Sequence, residues 1–206
     1  AVVIDGLALA GADAANYRIE AVGGVSVDIT PRRVTAAWTF LDKTYDGNAL
    51  VEASGTLDRV VSGDQVFPVA SGVFTAGKNV GQGLAVEISQ GLLVGDDATT
   101  YLLDNPTATG TGAITPRPIA ANYSGVNKVY DGTTAATVVG VLENMVAGET
   151  LTLTQSAVFT DGKNVGDYKN VLIAGIAVSG DGAGNYQLLS TEATALAHIT
   201  PRPVNV

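Results

Sequence analysis

"AITPRPIAANY", residues 113–123, contains an Ile-Thr-Pro-Arg run that also starts at Ile29 and at Ile199, so three copies stand 85 residues apart. Other motifs keep the same interval. Tyr45-Asp46-Gly47 returns as Tyr130-Asp131-Gly132, "VFTAGKNVG" (73–81) returns as "VFTDGKNVG" (158–166), and Gly95, Asp96 and Tyr101 return as Gly180, Asp181 and Tyr186. Self-similarity at a fixed interval marks tandem structural units rather than one large domain. The register holds without a gap across 32–201. It divides the chain into the back half of a preceding repeat (1–31), repeat one (32–116), repeat two (117–201) and the start of a following repeat (202–206). "GADAANY" (11–17) places the half repeat, because it resembles "GDGAGNY" (180–186). The phase predicts a window cut from a longer array.

The junction itself carries no Gly/Ser linker. Pro116 and Pro118 fix φ and drive Thr115 and Arg117 toward extended conformations, so the joint is expected to be short and stiff. Prolines also remove ladder donors, which suits a sheet edge or a crossing between domains. Strands are expected almost everywhere: "LTLTQSAVF" (151–159) alternates apolar and polar residues, and "VLIAGIAV" (171–178) is an apolar run broken by Gly175. Short intervals rich in Gly, Asp, Asn, Ser and Thr punctuate these runs as turns. The least strand-like stretch is "LENMVAGET" (142–150), where one helical turn fits. Together these features predict an all-β chain of tandem antiparallel sandwich units of immunoglobulin-like size, with a β-grasp-like plan as the alternative.

Composition narrows the function classes. The chain has 206 residues, 46% of them hydrophobic, and a net charge of −9 with no run of like charge. That predicts packed cores and makes nucleic acid a poor partner. No apolar run is long enough to insert in a membrane, and "AVVIDGLALAG" (1–11) lacks the basic residues of a secretory leader. With no cysteine, neither a disulfide frame nor a thiolate metal site is available.

Each candidate site has a structural reading beside it. Tyr45, Asp46, Gly47 and their copies Tyr130, Asp131, Gly132 form a strand-then-turn motif. Gly tolerates positive φ, Asp bonds the backbone two residues on, and the tyrosine ring packs under the turn. The same residues could grip a sugar, but scaffolding is the reading adopted. "GKNVG", with Gly77 and Asn79 in one copy and Gly162 and Asn164 in the other, lacks the second glycine and the Lys-Ser/Thr ending of a phosphate loop and is read as a hairpin turn. The acidic turns at 94–101 and 179–186 lack the alternating Asp spacing of calcium loops and are read as solvated turns. His198 is the only histidine, so no Ser-His-Asp set and no histidine metal cluster is proposed. Trp38 and Tyr123 fall at matching places and are read as packing aromatics. The expectation is no enzyme and no cofactor.

Taken together, "KVYDGTTAAT", "VFTDGKNVG", "GDGAGNYQL" and "AHITPRPV" resemble the YDG-type repeats of very large bacterial surface exoproteins, including adhesins of the filamentous-haemagglutinin kind. The resemblance runs through the whole chain in register. It implies export to the cell surface and a role in adhesion or biofilm architecture, and it does not imply catalytic residues. Copy one departs from the pattern with "TYDGNALVEA" where copy two has "VYDGTTAATV". The first expectation is therefore a structural spacer or stalk, partnered by other repeats or subunits of the same fibre. Two alternatives stand beside it: a self-assembling filament subunit joined by β-strand exchange, and a module that binds a host or cell-surface glycan or protein.

Overall fold

The computed structural model describes residues 4–20 and 26–205. Residues 1–3, 21–25 and 206 lie outside them, and with them parts of the expected half repeat and one residue of the expected start of the following repeat. Repeat one contains β1 (Arg32–Val34), β2 (Ala36–Phe40), β3 (Lys43–Thr44), β4 (Leu50–Leu57), β5 (Phe67–Phe74), β6 (Gly81–Val94), β7 (Tyr101–Leu103) and β8 (Ala108–Thr115). Repeat two contains β9 (Arg117–Val126), β10 (Lys128–Val129), β11 (Thr137–Glu143), β12 (Thr152–Phe159), β13 (Gly166–Ser179), β14 (Tyr186–Leu188) and β15 (Glu192–Thr200). Helix among the described residues is confined to the short 3-10 turns Ala14–Asn16, Ala98–Thr100 and Ala183–Asn185. The fold is all-β.

The alternation read at 151–159 becomes β12, whose side chains are half-buried and exposed in turn. The run at 171–178 lies inside β13. Gly175 adopts φ +64° there, and the β12–β13 register shifts opposite it between Thr154 and Ser156, as a bulge requires. The helical turn expected in 142–150 does not form. Asn144 and Gly148 take left-handed φ values of 66° and 84°, which break a right-handed helix, and the chain makes a tight turn closed by Glu149 N–H to Val146 O at 3.2 Å.

In repeat one a continuous sheet runs β2-β4-β5-β6-β8-β3, while β1 pairs with β7. Repeat two keeps the plan in two pieces, β11-β9-β14 and β10-β15-β13-β12, bridged at Ala135 and Val158. Hairpin neighbours are antiparallel, but β1–β7, β3–β8, β9–β14 and β10–β15 are parallel. This departs from a purely antiparallel sandwich. The parallel pairs join strands distant in sequence, which a tight hairpin cannot do. The sheet curls so that the early long strand lies across the last. A Cβ on Gly125 of β9 would stand 2.4 Å from Leu196 O of β15, and one on Gly110 of β8 would strike the Phe40 ring of β2. One local difference between the repeats has a visible cause. The Asp58 carboxylate takes the Thr35 N–H at 2.6 Å and separates β1 from β2, whereas the counterpart Ala120 pairs with Glu143 and β9 runs on unbroken.

One apolar cluster seals repeat two around Phe159, Val171, Ile173, Ile176, Ala197 and Ile199. Another does not respect the repeat boundary. Tyr45, Val51, Phe74, Val86 and Ile114 of repeat one are continuous with Ile119 and Tyr186 of repeat two. A single residue, Pro116, separates β8 from β9. Upstream, residues 11–17 keep the local 3-10 turn of the "GDGAGNY" motif but pair with no strand among the described residues. There Ile29 is 97% exposed, although its counterparts Ile114 and Ile199 are sealed, because no described strand lies beside it.

Candidate functional site

The Tyr-Asp-Gly motif divides its labour. Asp46 accepts the Asn48 N–H at 3.1 Å and pairs with the Lys43 ammonium at 2.6 Å, which also donates to Asn48 O and Leu50 O. Lys128 repeats the nest on Asp131 Oδ1, Thr133 O and Ala135 O. Lys128 first, then the Thr133 backbone, holds the Asp131 carboxyl at about 2. The lysine two residues before the tyrosine is therefore part of the turn, because its donors satisfy carbonyls that the turn leaves unpaired.

The tyrosine belongs to the joint. Tyr45 N–H donates to Thr115 O at 2.9 Å, tying the motif to the Ile-Thr-Pro-Arg run, and Arg117 of that run reaches from Tyr45 O to the turn at Asn144. The Tyr45 ring is fully buried and meets the Tyr186 ring edge-on at 5.5 Å. Both hydroxyls converge on one carboxylate of repeat two: Tyr45 donates to Glu149 Oε1 at 2.5 Å and Tyr186 to Glu149 Oε2 at 2.7 Å. Lys78 of the "GKNVG" turn adds a 2.7 Å ion pair to Oε1. Beside it the Val80 N–H donates to Asn185 Oδ1 at 2.9 Å, and Asn185 Nδ2 donates to Asn79 Oδ1 at 3.1 Å. A cleft of about 730 Å³ opens over this set, lined by Lys78, Asn79, Glu149, Asp181 and Asn185 among others.

Electrostatics fit a clamp. Lys78, then the two tyrosine hydroxyls, hold Glu149 at about 2, so it stays ionised and has no proton to exchange near neutrality. Glu149 in turn raises Lys78. Burial first, then the carboxylate they donate to, raises Tyr45 and Tyr186.

The structure thus gathers Tyr45, Asp46, Gly47, Gly77, Asn79, Pro116 and Pro118 at one joint. Gly77 turns the β5–β6 hairpin at φ +95°, and Pro118, which has no N–H to give, accepts from Asn144 Nδ2 at 2.8 Å. The copies Tyr130, Asp131, Gly132, Gly162 and Asn164 lie at the far end of repeat two. Sequence reasoning matched Tyr186 to Tyr101 only as a marker of the repeat, and it did not single out Glu149 or Asn185. A signal existed for Glu149: Asp64 stands 85 residues earlier, and Tyr101 donates to Asp64 at 2.6 Å just as Tyr186 does to Glu149.

Trp38 and Tyr123 are half-buried. A Cβ on Gly91 would stand 2.6 Å from the Trp38 ring, and one on Gly140 would stand 2.6 Å from the Tyr123 ring, so each aromatic lies flush on a glycine. His198 Nδ1 sits 2.7 Å from Asp167 on the surface. Asp97 spends its carboxylate on the Gln65 N–H, and no group of three or more His, Asp or Glu is arranged for a metal among the described residues. No helix of the described residues is long and apolar enough to cross a membrane.

The YDG domain profile matches residues 30–110 and 115–195. The chain belongs to the YDG domain family. Each matched YDG stretch opens inside an Ile-Thr-Pro-Arg run, at Thr30 and at Thr115, and ends in or just before the strand that leads to the next run. No curated protein and no solved structure matches it.

The two YDG glycines provide a comparison within one chain. Both are left-handed, Gly47 at φ +85° and Gly132 at φ +83°, but a Cβ on Gly47 would stand 2.7 Å from Val146 Cγ1 across the joint, whereas one on Gly132 meets nothing within 4 Å. Gly132→Ala is expected to cost about 1–2 kcal/mol, the backbone strain alone. Gly47→Ala should cost about 1–3 kcal/mol more, from overpacking. Urea denaturation of the two variants measures the difference, and equal losses would show that the joint does not bear on Gly47.

Proposed function

We propose that the YDG repeats are Ig-like sandwich modules that serve as stiff spacers in the stalk of an extracellular bacterial adhesin or surface fibre. Affinity for a partner cell or matrix resides elsewhere in such a fibre, and the repeats set its reach. The observation that carries this reading is the apolar cluster running through the joint, with Tyr45 and Ile114 on one side and Ile119 and Tyr186 on the other. Units joined by one proline and a shared core resist bending, whereas units joined by a flexible linker reorient freely. Their resemblance to the repeats of surface exoproteins supplies the setting.

Dye pairs placed through Ser62→Cys and Lys163→Cys test it, because the chain has no cysteine of its own. Single-molecule energy transfer at high dilution should give one narrow distance distribution. A broad or multiple distribution, with the two repeats moving independently, would remove the basis of the spacer reading.

A further inference from the structure

The long β5–β6 hairpin of repeat one and its copy β12–β13 in repeat two are paired in the same register, but at one place only the first is apolar on its outer face. Phe67 stands opposite Val94 and Val69 opposite Leu92, so two cross-strand pairs lie side by side on that face. All four side chains are exposed, Phe67 at 54% and Leu92 at 53%. In repeat two the same places hold Thr152 opposite Ser179 and Thr154 opposite Ala177. These strands therefore form and pair without large apolar residues there, and the fold gives no reason for the four in repeat one. Their exposure does not depend on which unit precedes repeat one. Repeat one itself packs against the Glu149 and Tyr186 end of repeat two, yet Thr152, Thr154, Ala177 and Ser179 stay exposed. A unit seated in the same way on repeat one would leave Phe67, Val69, Leu92 and Val94 open as well.

We propose that this face packs on the same face of a second copy of the chain, through a two-fold axis lying between the two sheets. A pleated face with rows of apolar pairs is well covered by another such face, because the rows interdigitate at the usual spacing of about 10 Å between packed sheets. About 300 Å² of apolar surface stands open on the four side chains, the size at which a patch on a single chain is often functional. Two such patches bury about 600 Å² between them, which with a polar rim reaches the small, weak end of specific interfaces and predicts a reversible pair. Adding a strand at the hairpin edge is the competing geometry, and Pro68 opposes it. That residue lies in β5 beyond the last β4–β5 partners, Ala53 and Ala70, and has no N–H to give an incoming strand. Further along the face Ser71 and the Glu52 opposite it are exposed and polar, which bounds the patch. Because the two faces are identical, the contact closes as a dimer. The inference goes beyond the spacer reading: it sets two stalks side by side.

Sedimentation velocity of the whole chain over a concentration series tests it. The mean mass should rise from monomer toward dimer as the concentration approaches about 1 mM, the weak end of specific association. Giving repeat one the residues of repeat two, through Phe67→Thr, Val69→Thr, Leu92→Ala and Val94→Ser together, should weaken dimerisation at least about tenfold. Leu92→Glu alone should do the same, because it sets like charges against an apolar face in both copies. The control is the reverse exchange in repeat two, Val139→Ser with Val141→Thr. Those valines are also exposed, but each faces a polar residue across the strands, Ser124 and Asn122, so dimerisation should be unchanged. A mass fixed at the monomer value, a mass that grows past the dimer, or dimerisation untouched by both patch variants would overturn the contact. The dye-pair measurement is made at high dilution, where the chain is single, so the spacer reading and this contact fail separately.

Discussion

Replacing Tyr45 with alanine is expected to destabilise the chain by about 3–5 kcal/mol, the range for deleting a fully buried aromatic ring. The ring is fully buried, stacks edge-on against Tyr186, and delivers its hydroxyl to Glu149. Its loss opens a cavity in the cluster shared by both repeats, so cooperativity should fall with stability. The parent chain should melt in one transition and Tyr45→Ala in two, because each repeat keeps its own strands while the joint no longer couples them. Tyr130→Ala is the control. Its ring is only half-buried, so it should cost about 1–2 kcal/mol and leave the transition single. Calorimetry distinguishes the outcomes. Equal losses for the two tyrosines would mean that the joint adds nothing to what each repeat supplies alone.

Glu149 carries the second large effect. Three donors meet its carboxylate, from Lys78, Tyr45 and Tyr186. Glu149→Leu should cost about 2–3 kcal/mol, since hydrogen bonds to a charged group are worth more than neutral ones and two tyrosine hydroxyls and the Lys78 ammonium lose their shared acceptor. The pH dependence follows from the direction of the shift. Glu149 titrates at about 2 in the folded chain against an ordinary 4.5, so its contribution is fully present above pH 4.5 and is lost as pH falls through 2. The stability gap between the parent and Glu149→Leu should therefore be wide at neutral pH and shrink below pH 4.5. Asp131 is also held at about 2, but it is present in both chains and cancels from the difference. A gap constant down to pH 2 would show that the carboxylate is not ionised against these donors.

The joint adds a steric limit at Gly47 that Gly132 does not share. The left-handed φ comes from the local Asp-Gly turn and is the same in both copies. The steric limit comes only from Val146 across the boundary. A residue identical in two copies can thus be constrained by its turn alone in one and by its turn plus a neighbouring unit in the other. The same holds for Lys78 and Lys163, which share the Gly-Lys-Asn-Val-Gly turn; among the described residues only Lys78 meets a carboxylate.

Much of this was legible without coordinates. The 85-residue period, the all-β character, the turn at Tyr-Asp-Gly and the proline-bound junction are local or periodic properties: alternation, turn chemistry, fixed φ, and repetition itself. The 3-10 turn at 14–16 makes the point most simply, since it forms although no strand among the described residues packs beside it. The tertiary structure decided what the motifs are for. Tyr-Asp-Gly, "GKNVG", Ile-Thr-Pro-Arg and "GDGAGNY" look like four separate turns in sequence. Folding brings one copy of the first three against the next repeat's copy of the fourth, with Glu149 between them. The parallel pairings β3–β8 and β9–β14 were equally invisible, because they join strands about 70 residues apart and no local pattern encodes them. Sequence by itself determined the unit and its turns, through the short-range chemistry of each residue. Only the packing of one unit on the next decided that the motif tyrosine is a joint, because burial and the carboxylate that receives it come from the neighbouring repeat.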